Sequence, residues 1–300
     1  MNERGANTGA GPDLLVGFTI PRCHARGRVV RLGPVLDRIL AAHDYPTPIQ
    51  QLLAEALVLT ALMGGLLKRE GSELTMQAQT RDGVVELLVC DYRDGEVRGY
   101  VKHDPARLAV LGDEPSLPEL FGNGHLAITF ELAETNQRYQ GIVPLEGDSL
   151  SAAVEVYFAQ SEQVPTLIRT AAQVGDRPNT AGGLLMQHLA DGEEGRERLH
   201  LRADHPEWEH VAILAKSVRN EELVDARLPL EGVVWRLFHE EPEVRVQASV
   251  PLSRGCRCST VHFEEVLARF PKEDRRDMRD ENGIIVVDCA FCSREFAIQD

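Results

Sequence analysis

Residues 74–90 read LTMQAQTRDGVVELLVC, in which two segments of alternating apolar and polar side chains flank Asp82-Gly83. Alternation with a period of two predicts β-strands with one buried face, and Asp-Gly is a common turn between antiparallel strands. Similar segments follow at 97–102, 126–131 and 139–143, after further turn sequences at Asp94-Gly95 and Gly122-Asn123-Gly124. The stretch from 74 to 143 therefore predicts an antiparallel meander.

Helices are predicted on both sides of this meander. A turn at residues 44–48, DYPTP, opens a helix that runs to about Arg69, and its apolar residues cover most of its faces. Such a helix is expected to lie in the centre of a core. A second helix is predicted from the cap at Asp148-Ser149-Leu150-Ser151 to about Gln163, followed by a strand at 167–174.

These elements predict one α+β core domain, of mixed sheet and helix, over residues 13–190. Residues 1–12 contain no apolar segment of the kind found in signal peptides and are expected to form a disordered tail. The protein is therefore expected to be cytoplasmic. The longest strongly apolar run, 56–67, has 12 residues, whereas a membrane span needs about 20. No association with membranes is predicted.

The net charge argues against nucleic acid as a partner. The chain has 47 acidic and 32 basic residues, which gives a formal charge of -15. A surface of this sign repels a phosphate backbone.

A charged segment follows the core domain. Between residues 191 and 247, 22 of 57 residues are charged, and 14 of these are acidic. Both tryptophans lie here, in the stretches 206–214 and 232–238, each of which predicts a short amphipathic helix. Isolated helices this short are marginal in water, so they need a surface to dock on. Residues 191–249 are therefore expected to form a metastable helical linker, with both indole rings docked.

Four of the six cysteines lie in the last 45 residues, as Cys256-Arg257-Cys258 and Cys289-Ala290-Phe291-Cys292. Two closely spaced thiol pairs brought together by a chain reversal match the ligands of a tetrahedral Zn²⁺ site. A helix capped at Ser259-Thr260 and a hairpin of 284–287 with 294–298 are predicted around them. Residues 250–300 are too few for a self-sufficient core, so the metal is expected to supply much of the folding energy of this domain.

The spacing leaves the role of the metal open. One interpretation is a static zinc ribbon that serves as a protein-binding module. A second is a thiol oxidoreductase that uses Cys289-x-x-Cys292, although that motif does not open a helix after a strand. A third is a redox switch, because a disulfide within Cys-x-Cys closes a small, strained ring and zinc-bound thiolates are nucleophilic.

The cysteine pattern resembles the redox switch of the heat shock protein 33 family. Further segments are similar to that family, in the same order along the chain. They are His43-Asp44-Tyr45-Pro46, Gly122-Asn123-Gly124, RYQGIVPLEGDSL at 138–150, YFAQSEQ at 157–163, Ala181-Gly182-Gly183 and WRLFHEE at 235–241.

The resemblance implies an ATP-independent holdase chaperone that binds unfolding client proteins under oxidative stress. It implies that Cys256, Cys258, Cys289 and Cys292 hold zinc in a reduced, inactive, monomeric form. In the oxidised, active, homodimeric form, the same resemblance implies the disulfides Cys256–Cys258 and Cys289–Cys292. No enzymatic activity is expected, because no P-loop, GxGxxG, GxSxG or HExxH pattern is present.

The remaining cysteines and the linker histidines are expected to have no specific role. Cys23 and Cys90 are interpreted as bystanders, although arginines at 22, 26 and 28 are expected to favour a lowered pKa of Cys23. The four linker histidines are expected to be solvated or to cap helices rather than to bind metal, and they are His200, His205, His210 and His239.

Overall fold

Two sheets with a buried helix between them organise the described part of the chain. The computed structural model describes residues 13–175, 178–189 and 205–299. The tail predicted for 1–12 and the first part of the predicted linker, 191–204, lie outside the described residues. The strands, numbered in chain order, are β1 Leu14–Ile20, β2 Ala25–Leu32, β3 Glu73–Gln79, β4 Val85–Arg93, β5 Glu96–His103, β6 His125–Leu132, β7 Gln137–Pro144, β8 Thr166–Gln173, β9 Thr180–His188, β10 Arg245–Val246, β11 Val250–Pro251, β12 Ser253–Arg254, β13 Ile284–Asp288 and β14 Glu295–Gln299.

Helices cover both sheets and connect their strands. They are α1 Pro34–Leu40, α2 Thr47–Gly64, α3 Pro105–Leu108, α4 Leu117–Phe121, α5 Leu150–Tyr157, α6 Pro206–Lys216, α7 Asn220–Val224, α8 Leu230–Phe238, α9 Thr260–Leu267 and α10 Lys272–Asp277. Among the described helices, none combines the length and the apolar character needed to cross a membrane.

The first sheet has the order β10-β1-β2-β9-β8, with β11 also paired to β1, and the second has the order β12-β5-β4-β3-β6-β7. The five predicted strands are confirmed as β3 to β7, and all of their pairings are antiparallel. The predicted meander is wrong in its topology, because β6 pairs with β3 rather than with β5, which gives the order β5-β4-β3-β6-β7 in the second sheet. Its turn at Asp94-Gly95 has positive φ at both residues, 51° and 84°, as the turn between two twisted strands requires. The first sheet was not predicted as a separate layer. Every residue of β9 is buried, so its sequence shows no alternation.

Helix α2 lies between the two sheets and contacts strands of both. The predicted central burial is confirmed, because most residues of α2 are buried on every face. The helix ends at Gly64 rather than near Arg69. Glycine has a low helix propensity, and a Cβ at Gly64 would lie 2.1 Å from the ring of Tyr92. The pair Gly64-Gly65 thus ends the helix where the Tyr92 ring approaches the backbone.

The linker helices α6, α7 and α8 cover the outer face of the first sheet. Phe238 of α8 packs on Phe18 of β1 with ring centroids 5.6 Å apart. Apolar side chains of the sheet and of the helices form one cluster, which we call the linker cluster. Its buried members are Val16, Phe18, Ile20, Cys23, Ala25, Val29, Leu167, Leu184, Met186, Trp208, Val211, Ala212, Ala215, Val218, Leu223, Leu230, Val233, Val234, Leu237 and Phe238. The predicted amphipathic helices are therefore docked.

The two tryptophans differ in their surroundings. Trp208 of α6 is 7% exposed, whereas Trp235 of α8 is 65% exposed and stacks on His239 at a centroid distance of 4.7 Å. The prediction that both rings dock is wrong for Trp235. The apolar stripe of α8 is formed by Val233, Val234, Leu237 and Phe238, and the side chain at 235 points away from that stripe.

A buried arginine fixes the linker to the first sheet. The Arg31 guanidinium on β2 donates hydrogen bonds to three backbone carbonyls in and after α7. The acceptors are Glu222 O at 3.0 Å, Leu223 O at 2.9 Å and Leu228 O at 2.6 Å. These carbonyls face the sheet, away from water, and the planar fork of arginine satisfies all three.

We expect the substitution Arg31→Lys to loosen the docked linker. Lysine lacks the fork, and each lost hydrogen bond to a charged group costs about 1.5–3 kcal/mol. Hydrogen exchange of the amides of α7 and α8 should therefore accelerate in the reduced protein. The control is Arg227→Lys in the same turn, whose side chain is 92% exposed and should leave exchange unchanged. Equal protection in Arg31→Lys and the parent protein would contradict the role of this fork.

Residues 245–254 attach the C-terminal part to both sheets. β10 and β11 pair antiparallel with β1, and β12 pairs parallel with β5. Beyond them, β13 and β14 form the predicted hairpin. The predicted cap of α9 is confirmed, because the Ser259 hydroxyl accepts a hydrogen bond from the His262 amide.

The C-terminal part has a small apolar core of its own. Within the described residues, its buried cluster consists of Leu267, Ile285 and Ile298, against which Phe263, Val287 and Phe296 are partly buried. A core of this size supplies little stability, so this part depends on a further stabilising interaction.

Candidate metal centre

Two loops bring the four C-terminal cysteines together. Cys256 and Cys258 follow β12 directly, and the Gly255 amide donates to Val97 O of β5 at 3.0 Å. Cys289 and Cys292 lie in the connection between β13 and β14, where the Cys292 amide donates to Cys289 O at 3.2 Å. One loop is thus positioned by the second sheet and the other by the C-terminal hairpin.

The four sulfur atoms form a compact group. The Sγ atoms are separated by 3.2 Å between Cys256 and Cys258, 3.6 Å between Cys256 and Cys289, and 3.5 Å between Cys258 and Cys292. All four lie within 4.8 Å of one another. A tetrahedral zinc site with Zn–S bonds of about 2.3 Å has its sulfurs about 3.8 Å apart. The donor set and its spacing therefore fit Zn²⁺.

The thiols influence one another's ionisation. Burial opposes ionisation of Cys256, but hydrogen bonds from the Cys258 backbone and from the other three thiols outweigh it and lower the pKa of Cys256 to about 7. Burial and hydrogen bonding to these neighbours raise the pKa of Cys258 and of Cys289. Four thiolates this close repel one another, so a divalent cation is the natural partner of the fully ionised set.

The cysteine loops contact the second sheet through polar and aromatic side chains. The Arg98 guanidinium of β5 lies 4.0 Å from the centroid of the Phe291 ring, and the Tyr100 ring meets Phe291 edge-on at 5.0 Å. Arg257, between the first two cysteines, donates to both carboxylate oxygens of Glu73 at 2.7 and 2.6 Å. These contacts hold the cysteine cluster against the core. Sequence reasoning missed them, because no local pattern links residues so far apart in the chain.

A histidine of the core also touches the second cysteine loop. His43 Nδ1 lies 3.2 Å from the Ser293 hydroxyl, and its ring stacks on Tyr45 at 4.7 Å. Burial lowers the pKa of His43, which favours the neutral ring at pH 7.

Cys23 and Cys90 lie apart from the four clustered cysteines, and both are buried. The Cys23 thiol donates to Glu241 Oε2 at 3.6 Å. Burial and the charge of Glu241 raise the pKa of Cys23 to about 11, so the expectation that neighbouring arginines lower it is wrong. Cys90 is buried on β4 beneath Gly99, and burial raises its pKa as well. Raised pKa values leave both thiols protonated and weakly reactive.

The Cys289-x-x-Cys292 motif lies in a turn between two strands. A thiol oxidoreductase instead places its first cysteine at a helix N-terminus, where the helix dipole lowers its pKa. The structure provides no such helix at Cys289, since β13 precedes it and β14 follows.

A family model described as Hsp33 protein matches residues 13–299. The chain belongs to the Hsp33 family. Two relatives of this chain carry the name 33 kDa chaperonin. The one from Caulobacter vibrioides is 38% identical over 306 residues, covering 99% of this chain and 98% of the relative. The one from Yersinia pestis is 35% identical over 274 residues, covering 90% and 87%.

A solved structure shows the Hsp33 fold as well. The crystal structure of the 33 kDa chaperonin (heat shock protein 33 homolog) from Thermotoga maritima matches with a TM-score of 0.77 at 21% identity. The match covers 96% of this chain and 95% of that chain. The α+β fold predicted from the sequence is therefore confirmed.

Two of the segments that resemble Hsp33 sequences lie at contacts between the linker and the core. Gly182 of β9 lies where an added Cβ would be 2.2 Å from Leu223 O of α7, so a side chain there would displace the linker. Glu241, which ends the WRLFHEE stretch, accepts a hydrogen bond from Cys23 and lies 2.6 Å from His210 Nε2. In this Hsp33 chain, residues of these segments therefore lie at the interface between the linker and the core.

Proposed function

We propose that this protein is a redox-regulated, ATP-independent holdase of the cytoplasm that binds unfolding proteins under oxidative stress. The observation that carries the proposal is the docked linker: its helices and the first sheet bury their apolar faces against each other in the linker cluster. A reversible loss of this docking would expose both faces together. Membership of a chaperonin family agrees with a binding function rather than an enzymatic one.

In the reduced state, the four cysteines of the proposed switch act as metal ligands. Zn²⁺ held by Cys256, Cys258, Cys289 and Cys292 would contribute on the order of 10 kcal/mol to the folding of the C-terminal domain. The small core around Leu267 supports this dependence. We assign the switch to residues 250–300, the metastable linker to 191–249 and the chaperone core to 13–190.

Oxidation removes the ligands. A two-electron oxidant, such as hypochlorite or hydrogen peroxide, takes two electrons from each pair of thiolates to form one disulfide and is reduced to chloride or water. The Sγ atoms of Cys256 and Cys258 lie 3.2 Å apart, and those of Cys289 and Cys292 lie within 4.8 Å of each other, which supports pairing within each motif after a modest movement. The Hsp33 resemblance assigns the pairs as Cys256–Cys258 and Cys289–Cys292. With the ligands consumed, the C-terminal domain loses its main support.

The path from the cysteines to the linker is short. Strands β10 to β12 lie between α8 and Cys256, and they pair with β1 and β5. Unfolding of the cysteine loops removes the contacts of Arg257 and Phe291 with the second sheet, which leaves these two-residue strands weakly held. Helix α8 is then free to leave Phe18. The exposed sheet and helix faces bind clients, and the oxidised form is a homodimer whereas the reduced form is a monomer.

We expect oxidation to change the emission of Trp208. Its ring is buried against the first sheet, so release of the linker should shift its emission to the red. Trp235 is exposed in the docked state and adds a constant background, which the variant Trp235→Phe removes. Emission of this variant should be recorded during hypochlorite titration, together with zinc release and suppression of client aggregation. All three changes should coincide.

The variant Trp208→Phe, which retains Trp235, is the control and should show little shift. A static zinc ribbon predicts none of the three changes. Oxidised, zinc-free protein with unchanged Trp208 emission and no holdase activity would therefore rule out the switch.

A further inference from the structure

A second group of metal-binding side chains lies where the linker meets the first sheet. His188 ends β9, His205 precedes α6, and Glu207 lies in the first turn of α6. Their ligand atoms lie within 4.8 Å of one another. The group therefore combines one residue of the core with two of the linker, far along the chain from the cysteines.

The separations between the ligand atoms of this group are close to those found in a metal-binding site. His205 Nδ1 lies 3.8 Å from Glu207 Oε2, and the rings of His188 and His205 are 5.2 Å apart at their centroids. Ligand atoms of a tetrahedral site with bonds of about 2.1 Å lie about 3.4 Å apart. Small side-chain rotations of His205, which is exposed, and of Glu207, which is half-buried, would bring the three atoms to that spacing.

The surroundings of the group restrict its orientation. His188 is 2% exposed and stacks on Trp208 at a centroid distance of 5.8 Å. His24 Nε2 lies 3.8 Å from the Glu207 carboxylate, so a further imidazole faces the same oxygen. One ligand is thus held rigidly by the core, while the other two move with α6.

The linker histidines were expected to be solvated or to cap helices. His205 occupies the N-cap position of α6, yet its side chain makes no capping hydrogen bond. Its imidazole lies beside Glu207 and His188 instead.

We propose that His188, His205 and Glu207 form a second metal site, which takes a borderline divalent transition-metal ion such as Zn²⁺ or Ni²⁺. Two imidazoles and one carboxylate suit these ions, whereas Ca²⁺ and Mg²⁺ prefer sites made of oxygen ligands. Because the ligands come from β9 and α6, the bound ion joins the linker to the core. Occupancy of this site therefore stabilises the docked linker by a route independent of the four cysteines.

Nickel titration of the reduced, zinc-loaded full chain tests this site. Ni²⁺ quenches nearby indoles, and Trp208 stacks on the proposed ligand His188. The titration is carried out on the variant Trp235→Phe, in which Trp208 is the sole tryptophan. We expect saturable quenching with one Ni²⁺ bound per chain, measured by elemental analysis after gel filtration, while the cysteine-bound zinc is retained. Zn²⁺ added afterwards should reverse the quenching.

Substitutions in the same background locate the ion. We expect Glu207→Gln and His205→Ala each to weaken Ni²⁺ binding about tenfold or more. The matched control is His239→Ala, which removes an exposed histidine from the same linker and should leave binding unchanged. His205 is exposed and Glu207 is half-buried, and circular dichroism checks that each variant is folded.

Quenching that does not saturate, or that is the same in Glu207→Gln and His205→Ala as in the parent, overturns the proposal. The titration uses neither oxidant nor client protein. Its outcome is therefore independent of the proposed chaperone activity.

Discussion

Replacing Phe238 with alanine is expected to switch on holdase activity in the reduced, zinc-loaded protein. Phe238 is fully buried and packs on Phe18 of the first sheet. Truncation of a buried phenylalanine to alanine costs about 3–5 kcal/mol. The loss falls on helices that pack on the core mainly through one apolar face, so the docked linker is the part least able to absorb it. Suppression of client aggregation under reducing conditions measures the effect.

The matched control is Trp235→Ala on the same helix. Trp235 is largely exposed, so its truncation should leave the reduced protein inactive. Hydrogen exchange of α6 and α8 shows whether the linker is released in each variant. A released linker in Phe238→Ala without holdase activity would show that the linker cluster is not the client surface.

Replacing Cys256 with serine is expected to unfold the C-terminal domain without any oxidant. A hydroxyl is a poor zinc ligand, and a structural zinc site contributes on the order of 10 kcal/mol to the folding of a small domain. The three buried side chains of its apolar core, Leu267, Ile285 and Ile298, are too few to replace that contribution. Zinc content should fall, and amides of β13 and β14 should exchange rapidly.

Cys23→Ser is the control for loss of a cysteine elsewhere. The serine hydroxyl can still donate to Glu241, as the thiol does. Zinc content and exchange of the hairpin should therefore match those of the parent protein. Normal zinc content and a protected hairpin in Cys256→Ser would contradict the dependence of this domain on metal.

Sequence patterns predicted the parts of the fold that have one buried face. Strands β3, β4 and β5 of the second sheet largely alternate between buried and more exposed side chains, because one side of each packs on α2. Strand β9 was missed because it lies between α2 and the linker helices and is buried on both sides. A strand that is buried on both faces shows no alternation of polar and apolar residues, so its position in a sheet cannot be predicted from the local sequence.

The four cysteines could be grouped from sequence because each pair is local and one hairpin returns the second pair towards the first. The contacts that hold these cysteines against the core could not be predicted from the sequence. Arg257 with Glu73 and Arg98 with Phe291 join residues more than 180 positions apart, and no periodicity marks them. Trp235 shows a further limit, because one residue along a helix turns a side chain by about 100°.

The pairing of residues 245–254 with both sheets has a consequence for how clients are recognised. While β10 and β11 lie along β1, and β12 lies along β5, the backbone groups of those strands are satisfied. Release of the segment would open an edge on each sheet at the same moment. An open edge offers N–H and C=O groups to any extended chain by strand addition, whatever its side chains. Main-chain recognition of this kind would let one chaperone hold many unrelated sequences.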